Sequence, residues 1–204
     1  MKILVVYYSM YGHTYSMAKA VADGAVAVDG AEVVLRKVQE FDAVNQIIDG
    51  NENARKVRDQ QASVPVCTLD DLRDADGIIF GSPTRYGNMA AQMKQLFDAT
   101  APLWMKGELE GKPAGLFTST ATTHGGQETT LLTMTAPLLH LGMIVVGVPY
   151  STSGMLHTEG RGGTPYGAST IAGSQAELQP RPEDLDIARA LGKRVAAITK
   201  RLSG

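Results

Sequence analysis

The chain has 204 residues, 44% hydrophobic and 20% charged, enough to bury the core of one globular domain. Nineteen Lys and Arg stand against 21 Asp and Glu, a net charge of -2 without long runs of either sign, which argues against a nucleic-acid or membrane-binding surface. Cys67 is the only cysteine, so an intrachain disulfide and a Cys-rich metal centre are excluded, and no apolar run approaches the ~20 residues of a membrane span.

Lys2 is followed by only a short apolar run, Ile3 to Val6, which is not a secretory layout; a cytoplasmic protein is expected. Lys2 to Tyr8 is β-branched and aromatic, the composition of a buried strand. Met17, Val21, Ala25 and Val28 recur near helical spacing and predict a helix over 13–28. Asp29-Gly30 makes a turn, and Ala31 to Val38 alternates as a second strand, completing a parallel crossover unit. Residues 40–66 are polar without a clear period and read as an insertion carrying one short helix.

Gly77 to Gly81 is a compact third strand, followed by a loop over 82–88 and a helix over 89–100. Lys112 to Ser119 reads as a fourth strand, followed by a Thr- and Gly-rich loop, a helix over 128–141, and a fifth strand over 143–148. Tyr150 to Arg181 is a long polar, Gly-rich loop, and such loops are seldom mere connectors. Pro182, Glu183 and Asp184 open a last helix that Lys200 and Arg201 close, each suited to its end of the helix dipole.

Five strands separated by helices describe a single doubly wound α/β domain over 1–204. Right-handed crossovers bring the loops after strands one, three and four to one carboxyl edge, where such sheets bind ligands.

The loop Ser9-Met10-Tyr11-Gly12-His13-Thr14 lies between the first strand and the first helix. Free amides at a helix N-terminus, with the dipole behind them, form an anion site. Gly12 permits a close turn, and Ser9 and Thr14 offer hydroxyls, but no Lys or Arg is present. The same residues also serve as a plain N-cap and turn, so the loop alone leaves both readings open. No G-x-x-x-x-G-K-[ST], G-x-G-x-x-G or G-x-S-x-G pattern supports nucleotide hydrolysis, Rossmann binding or a nucleophile elbow. Four His without paired spacing do not suggest a metal site.

Four segments together resemble the WrbA family of NAD(P)H:quinone oxidoreductases. They are Tyr-Tyr-Ser-Met-Tyr-Gly-His-Thr (7–14), Gly-Ser-Pro-Thr-Arg-Tyr-Gly-Asn-Met (81–89), Gly-Gly-Gln-Glu (125–128) and Arg-Gly-Gly-Thr-Pro-Tyr-Gly-Ala-Ser-Thr-Ile-Ala-Gly (161–173). The resemblance implies a flavodoxin-like five-stranded parallel sheet of order 2-1-3-4-5 with helices on both faces. It also implies FMN as cofactor, NADH or NADPH as electron donor, and two-electron reduction of quinones to hydroquinones by ping-pong hydride transfer.

Residue by residue, it implies that Ser9, Met10, Tyr11, Gly12, His13 and Thr14 hold the FMN phosphate. Pro83, Thr84, Arg85 and Tyr86 would border the flavin ring, with Ser119, Thr120, Ala121, Thr122, Thr123, His124 and Gly125 on its other side. His140 would reach the flavin from a neighbouring helix or subunit, and is the one candidate for a proton-handling role. Tyr11 would meet the nicotinamide and Trp104 would line the substrate pocket. The family also implies a homotetramer with flavin sites completed across subunits. One departure stands out: Ser119 to His124 is about one residue longer than the family's Gly-rich loop, so contacts over 121–124 stay open.

Three rival functions share this fold: a one-electron flavodoxin-type carrier, a flavin-gated interaction module without turnover, and a reductase of azo or nitro acceptors. Carriers of this kind are usually strongly acidic and shorter, unlike this near-neutral chain.

Overall fold

The computed structural model describes residues 1–203. In chain order its first half contains β1 (Lys2–Tyr7), α1 (His13–Val26), β2 (Glu32–Lys37), α2 (Asp42–Asp49), α3 (Glu52–Gln60), α4 (Leu69–Asp74), β3 (Gly77–Arg85) and β4 (Asn88–Met89). Then follow α5 (Ala91–Ala99), α6 (Ala101–Trp104), β5 (Pro113–Thr120), α7 (Gln127–His140), β6 (Ile144–Val146), β7 (Ala168–Ile171) and α8 (Pro182–Leu202).

The parallel path runs β2-β1-β3-β5-β6. Since β5 and β6 are the fourth and fifth strands expected from the sequence, the order 2-1-3-4-5 is obtained. β1 alternates across the sheet: Ile3, Val5 and Tyr7 enter one core, while Leu4, Val6 and Tyr8 enter the other. A central parallel strand is covered on both faces, which is why it reads as an unbroken apolar run. On the first face α1 and α8 pack closely: a Cβ on Gly24 would lie 1.9 Å from the Arg189 carbonyl oxygen, and one on Gly192 1.9 Å from that of Val21. On the second face Met93 and Phe97 of α5 and Leu131, Met134 and Leu138 of α7 meet Ile78, Phe80 and Leu116.

The third strand is longer than expected, running through the predicted 82–88 loop to Arg85 and pairing there with β4, and two further expectations need correction. Residues 40–66 carry two helices, α2 and α3, rather than one. Ile48, Ala54 and Val57 are their buried residues, so each helix offers only a narrow apolar strip, too sparse to show a period. The second correction concerns 143–181. β6 covers only Ile144–Val146 and pairs with Pro113–Gly115, while β7 lies inside the expected loop and pairs with Phe117–Thr120. The last lane of the sheet is thus split along β5, with residues 147–167 looping out between its two pieces. Gly167 makes the return tight, for a Cβ there would lie 2.1 Å from the Leu116 carbonyl oxygen. Among the described residues, no helix is long and apolar enough to cross a membrane.

Candidate active site at the carboxyl edge

A cleft of about 330 Å³ opens at the carboxyl ends of β1, β3, β5 and β7. Ser9, Met10, Tyr11, His13 and Thr14 line it from the first loop, Pro83, Thr84 and Arg85 from the end of β3, and Ser119, Thr120 and Ala121 from the end of β5. Ala172 to Ala176, following β7, and Asn51 complete the wall.

The first loop has the geometry of an anion cradle. Gly12 caps α1 in the left-handed region (φ 95) and supplies no side-chain cap. Its own N–H donates to Ser9 Oγ at 3.2 Å. The amides of Met10, Tyr11, His13, Thr14 and Tyr15 meet no acceptor among the described residues; the first α-helical turn closes only with Ser16 N–H donating to Gly12 O. A hydrogen bond to a charged acceptor is worth ~1.5–3 kcal/mol, so several such amides can hold a phosphate dianion without a lysine. A side chain is disfavoured at this turn, because φ 95 strains any L residue and a Cβ on Gly12 would lie 3.1 Å from Val57 Cγ2. These free donors, the closed turn and a cleft running on past them fit the phosphoryl end of FMN.

The floor of the loop is held from below. Tyr8 Oη donates to Glu40 Oε2 at 2.9 Å, and Gln92 Nε2 donates to Tyr8 Oη at 3.0 Å and to Glu40 Oε1 at 2.6 Å. Burial, with the Glu40 carboxylate beside it, raises the Tyr8 phenol well above its ordinary pKa and keeps it a donor. His13 is 5% exposed and its Nε2 has no partner. Burial lowers its pKa, outweighing the Leu178 and Ala176 backbone and the Glu177 carboxylate, so the imidazole is neutral at neutral pH.

Among the described residues, Arg85 is the one lining residue with a full positive charge, and no carboxylate lines the cleft. Its guanidinium is exposed and donates through Nη1 to the Thr84 carbonyl at 2.9 Å. Thr84 is itself pinned: Thr130 Oγ1 of α7 donates to its hydroxyl at 2.8 Å, and Gly87 N–H at 3.1 Å. Beyond Arg85, β3 turns into β4 through Tyr86 (φ 55) and Gly87 (φ 77), the two positive φ values of a type I′ hairpin. Tyr86 stands at this tip with its side chain fully in solvent and does not line the cleft.

Not every residue named from the sequence gathers here. After Ala121 the longer loop turns outward: Thr122, Thr123 and His124 are exposed, and Thr123 and His124 line another groove with Arg161. Gly125 donates its N–H to the Thr122 carbonyl in the same turn. Trp104 and His140 lie together in a third groove, with Phe97 and Pro137, away from the cleft. Sequence reasoning missed Asn51 and the turn 172–176. The signal for the latter was Ala168 to Ile171, a short strand-like run whose carboxyl end had to reach the same edge.

Residues 1–158 match the family model described as NADPH-dependent FMN reductase. A protein named NAD(P)H dehydrogenase (quinone) from Geotalea uraniireducens (strain Rf4) is 53% identical over 207 residues, covering all of both chains. One of the same name from Geobacter sulfurreducens is also 53% identical over 207 residues, with the same full coverage. Among solved structures, the flavodoxin, WrbA-like protein from Agrobacterium tumefaciens has a TM-score of 0.65 at 26% identity, covering 98% of each chain. An archaeal flavodoxin, at 21% identity and a TM-score of 0.63 over 98% of this chain and 99% of its own, shares the fold. With a family model spanning most of its length and relatives at half identity end to end, the chain belongs to the NADPH-dependent FMN reductase family.

Proposed function

We propose that the chain is an FMN-dependent NAD(P)H dehydrogenase (quinone) that works by alternate use of one pocket. The observation that carries this reading is the row of unpartnered amides at the start of α1, opening onto a cleft whose only full charge is the Arg85 cation. The names borne by relatives at about half identity support it. FMN, when bound, would supply the two-electron hydride chemistry that links oxidation of NAD(P)H to reduction of a quinone.

The protein's share is position and electrostatics. The 9–14 loop holds the phosphoryl group, and Pro83, Thr84, Ser119, Thr120 and Ala121 fix the direction in which the rest of the cofactor extends. Arg85 stabilises the negative charge that accumulates at this end of the cleft on reduction. Two groups near the cleft are poor proton donors at neutral pH: burial lowers the His13 pKa, and the Tyr8 phenol is held by Glu40.

We further infer that the cytoplasmic protein works as a homotetramer. Trp104 and His140 stand exposed in a groove apart from the cleft, Trp104 at 56%, beside the exposed Met105 and Leu139, and Tyr86 is exposed at the hairpin tip. An exposed aromatic and apolar set of this kind suits a subunit contact that brings Trp104 and His140 over a neighbour's ring end. Residues 122–125 follow the same logic, since beyond Ala121 that loop leaves the cleft within its own chain.

The test is steady-state turnover of the FMN-loaded protein with NADH or NADPH and benzoquinone. Parallel double-reciprocal lines are expected. Intersecting lines, or no quinone-dependent oxidation of either nucleotide, would overturn the proposal and favour the electron-carrier alternative.

A further inference from the structure

The helix α3 belongs to a segment that the family's motifs do not cover, yet it touches the cradle at three points. At its start, Asn51 lines the cleft while its Oδ1 caps the helix, accepting the Ala54 N–H at 2.9 Å. The cap uses the oxygen of the amide and leaves its nitrogen free: Nδ2 donates to nothing among the described residues. In its middle, Val57 backs the Gly12 turn, 3.1 Å from where a Cβ would stand. At its end, Gln61 is 5% exposed and donates through one Nε2 to the Val57 carbonyl at 3.0 Å and the Ser9 carbonyl at 3.1 Å.

The last contact has a directional consequence. Holding the Ser9 carbonyl toward α3 turns the following peptide so that its N–H, that of Met10, faces away from α3. Lys37 Nζ, donating to the Gln61 carbonyl at 2.8 Å, anchors the end of the brace to β2. The loop has no cation and Arg85 lies at the end of β3, so neutral donors must carry the recognition of phosphate.

We propose that α3 is the third wall of the phosphate site: Asn51 donates its side-chain N–H to a phosphoryl oxygen, and Gln61 is a positioning residue that aims the loop amides. Together they make the chain selective for the phosphorylated flavin over riboflavin. The inference rests on FMN occupying the cleft and assigns a binding role to the 40–66 segment.

The experiment titrates flavin-free protein with FMN and with riboflavin, following flavin fluorescence quenching, for wild type, Asn51→Ala, Asn51→Asp and Gln61→Leu. Asp keeps the oxygen that caps α3 but faces the dianion with a negative charge, so the fold is preserved while the proposed contact is inverted. Asn51→Ala is expected to weaken FMN about fivefold, and Asn51→Asp and Gln61→Leu about tenfold or more, with riboflavin within about twofold throughout. The Asn51→Asp loss should shrink in high salt. A purely structural role predicts otherwise: equal losses for both flavins, or Asn51→Asp binding FMN like wild type, and either result overturns the proposal. Wild type that binds neither flavin would overturn the cofactor reading along with it, a result distinct from tight but unselective binding.

Discussion

The cleft is walled at the start of α1 by His13 and Thr14 and at the end of β5 by Ser119 and Thr120, none more than 5% exposed, whereas at its open end Arg85 and Ala121 face solvent. The first set sits where strands end and α1 begins, buried by the packing of the sheet edge. The second set sits on a hairpin and a long turn, with Tyr86 fully in solvent. One end is buried within the chain and the other faces solvent. Burial that a fold needs for its own stability also pre-organises a cradle, while a site's exposed end must borrow its cover from a partner or substrate.

That contrast can be broken in four ways. The largest effect is expected from Gly12→Val, which forces a β-branched residue to φ 95 against Val57. A strain of ~3 kcal/mol at this turn corresponds to about a 100-fold loss of FMN affinity by fluorescence titration. Undiminished affinity would mean that the phosphate end is not rigid. Next, Trp104→Ala should lower kcat/KM for benzoquinone about tenfold and shift sedimentation toward smaller species, while FMN affinity of the loaded chain changes little. A full-rate variant that sediments as wild type would show that the open end needs no neighbour.

Arg85→Ala should cut turnover about fivefold to tenfold and leave FMN affinity within about threefold, because the residue acts at the open end. A loss confined to FMN binding would move Arg85 to the phosphate end and blur the comparison. The smallest effect concerns His13 in the flavin-free protein. Burial holds its folded pKa below that of the unfolded chain, so below about pH 6.5 the unfolded state takes up a proton that the native state resists. Stability should therefore rise with pH through that window, seen as a Tm a few degrees lower at pH 5.5 than at 7.5, and His13→Gln should flatten the slope. An unchanged slope in the variant would assign the acid sensitivity elsewhere.

Much of this was legible along the chain. β1 and the cradle could be read directly because their signals are local: a β-branched run, a glycine, hydroxyls and a helix pattern within about 20 residues. The helices α1, α7 and α8 were placed within two residues of their observed ends, their buried faces being wide enough to show a period. α2 and α3 were not, since each turns only one or two residues inward. β7 was hidden for a different reason: its partner β5 lies some fifty residues earlier, and β6 had already claimed the other half of that strand.

The site divides along the same line. Ser9 to Thr14 announce themselves because backbone amides at the start of a helix are exposed by the hydrogen-bond pattern of any helix, whatever surrounds it. Asn51, Gln61 and the 172–176 turn reach the cleft only because α3 and β7 are brought there by pairing and packing between distant segments, which no local spacing records. Likewise Trp104 and His140 carry aromatic and titratable side chains that mark them in any sequence, but their placement in a groove of their own depends on how α5, α6 and α7 meet. Residue chemistry and short-range periodicity are written in order along the chain; the company each residue keeps is set by contacts whose free energy exists only once the sheet has closed.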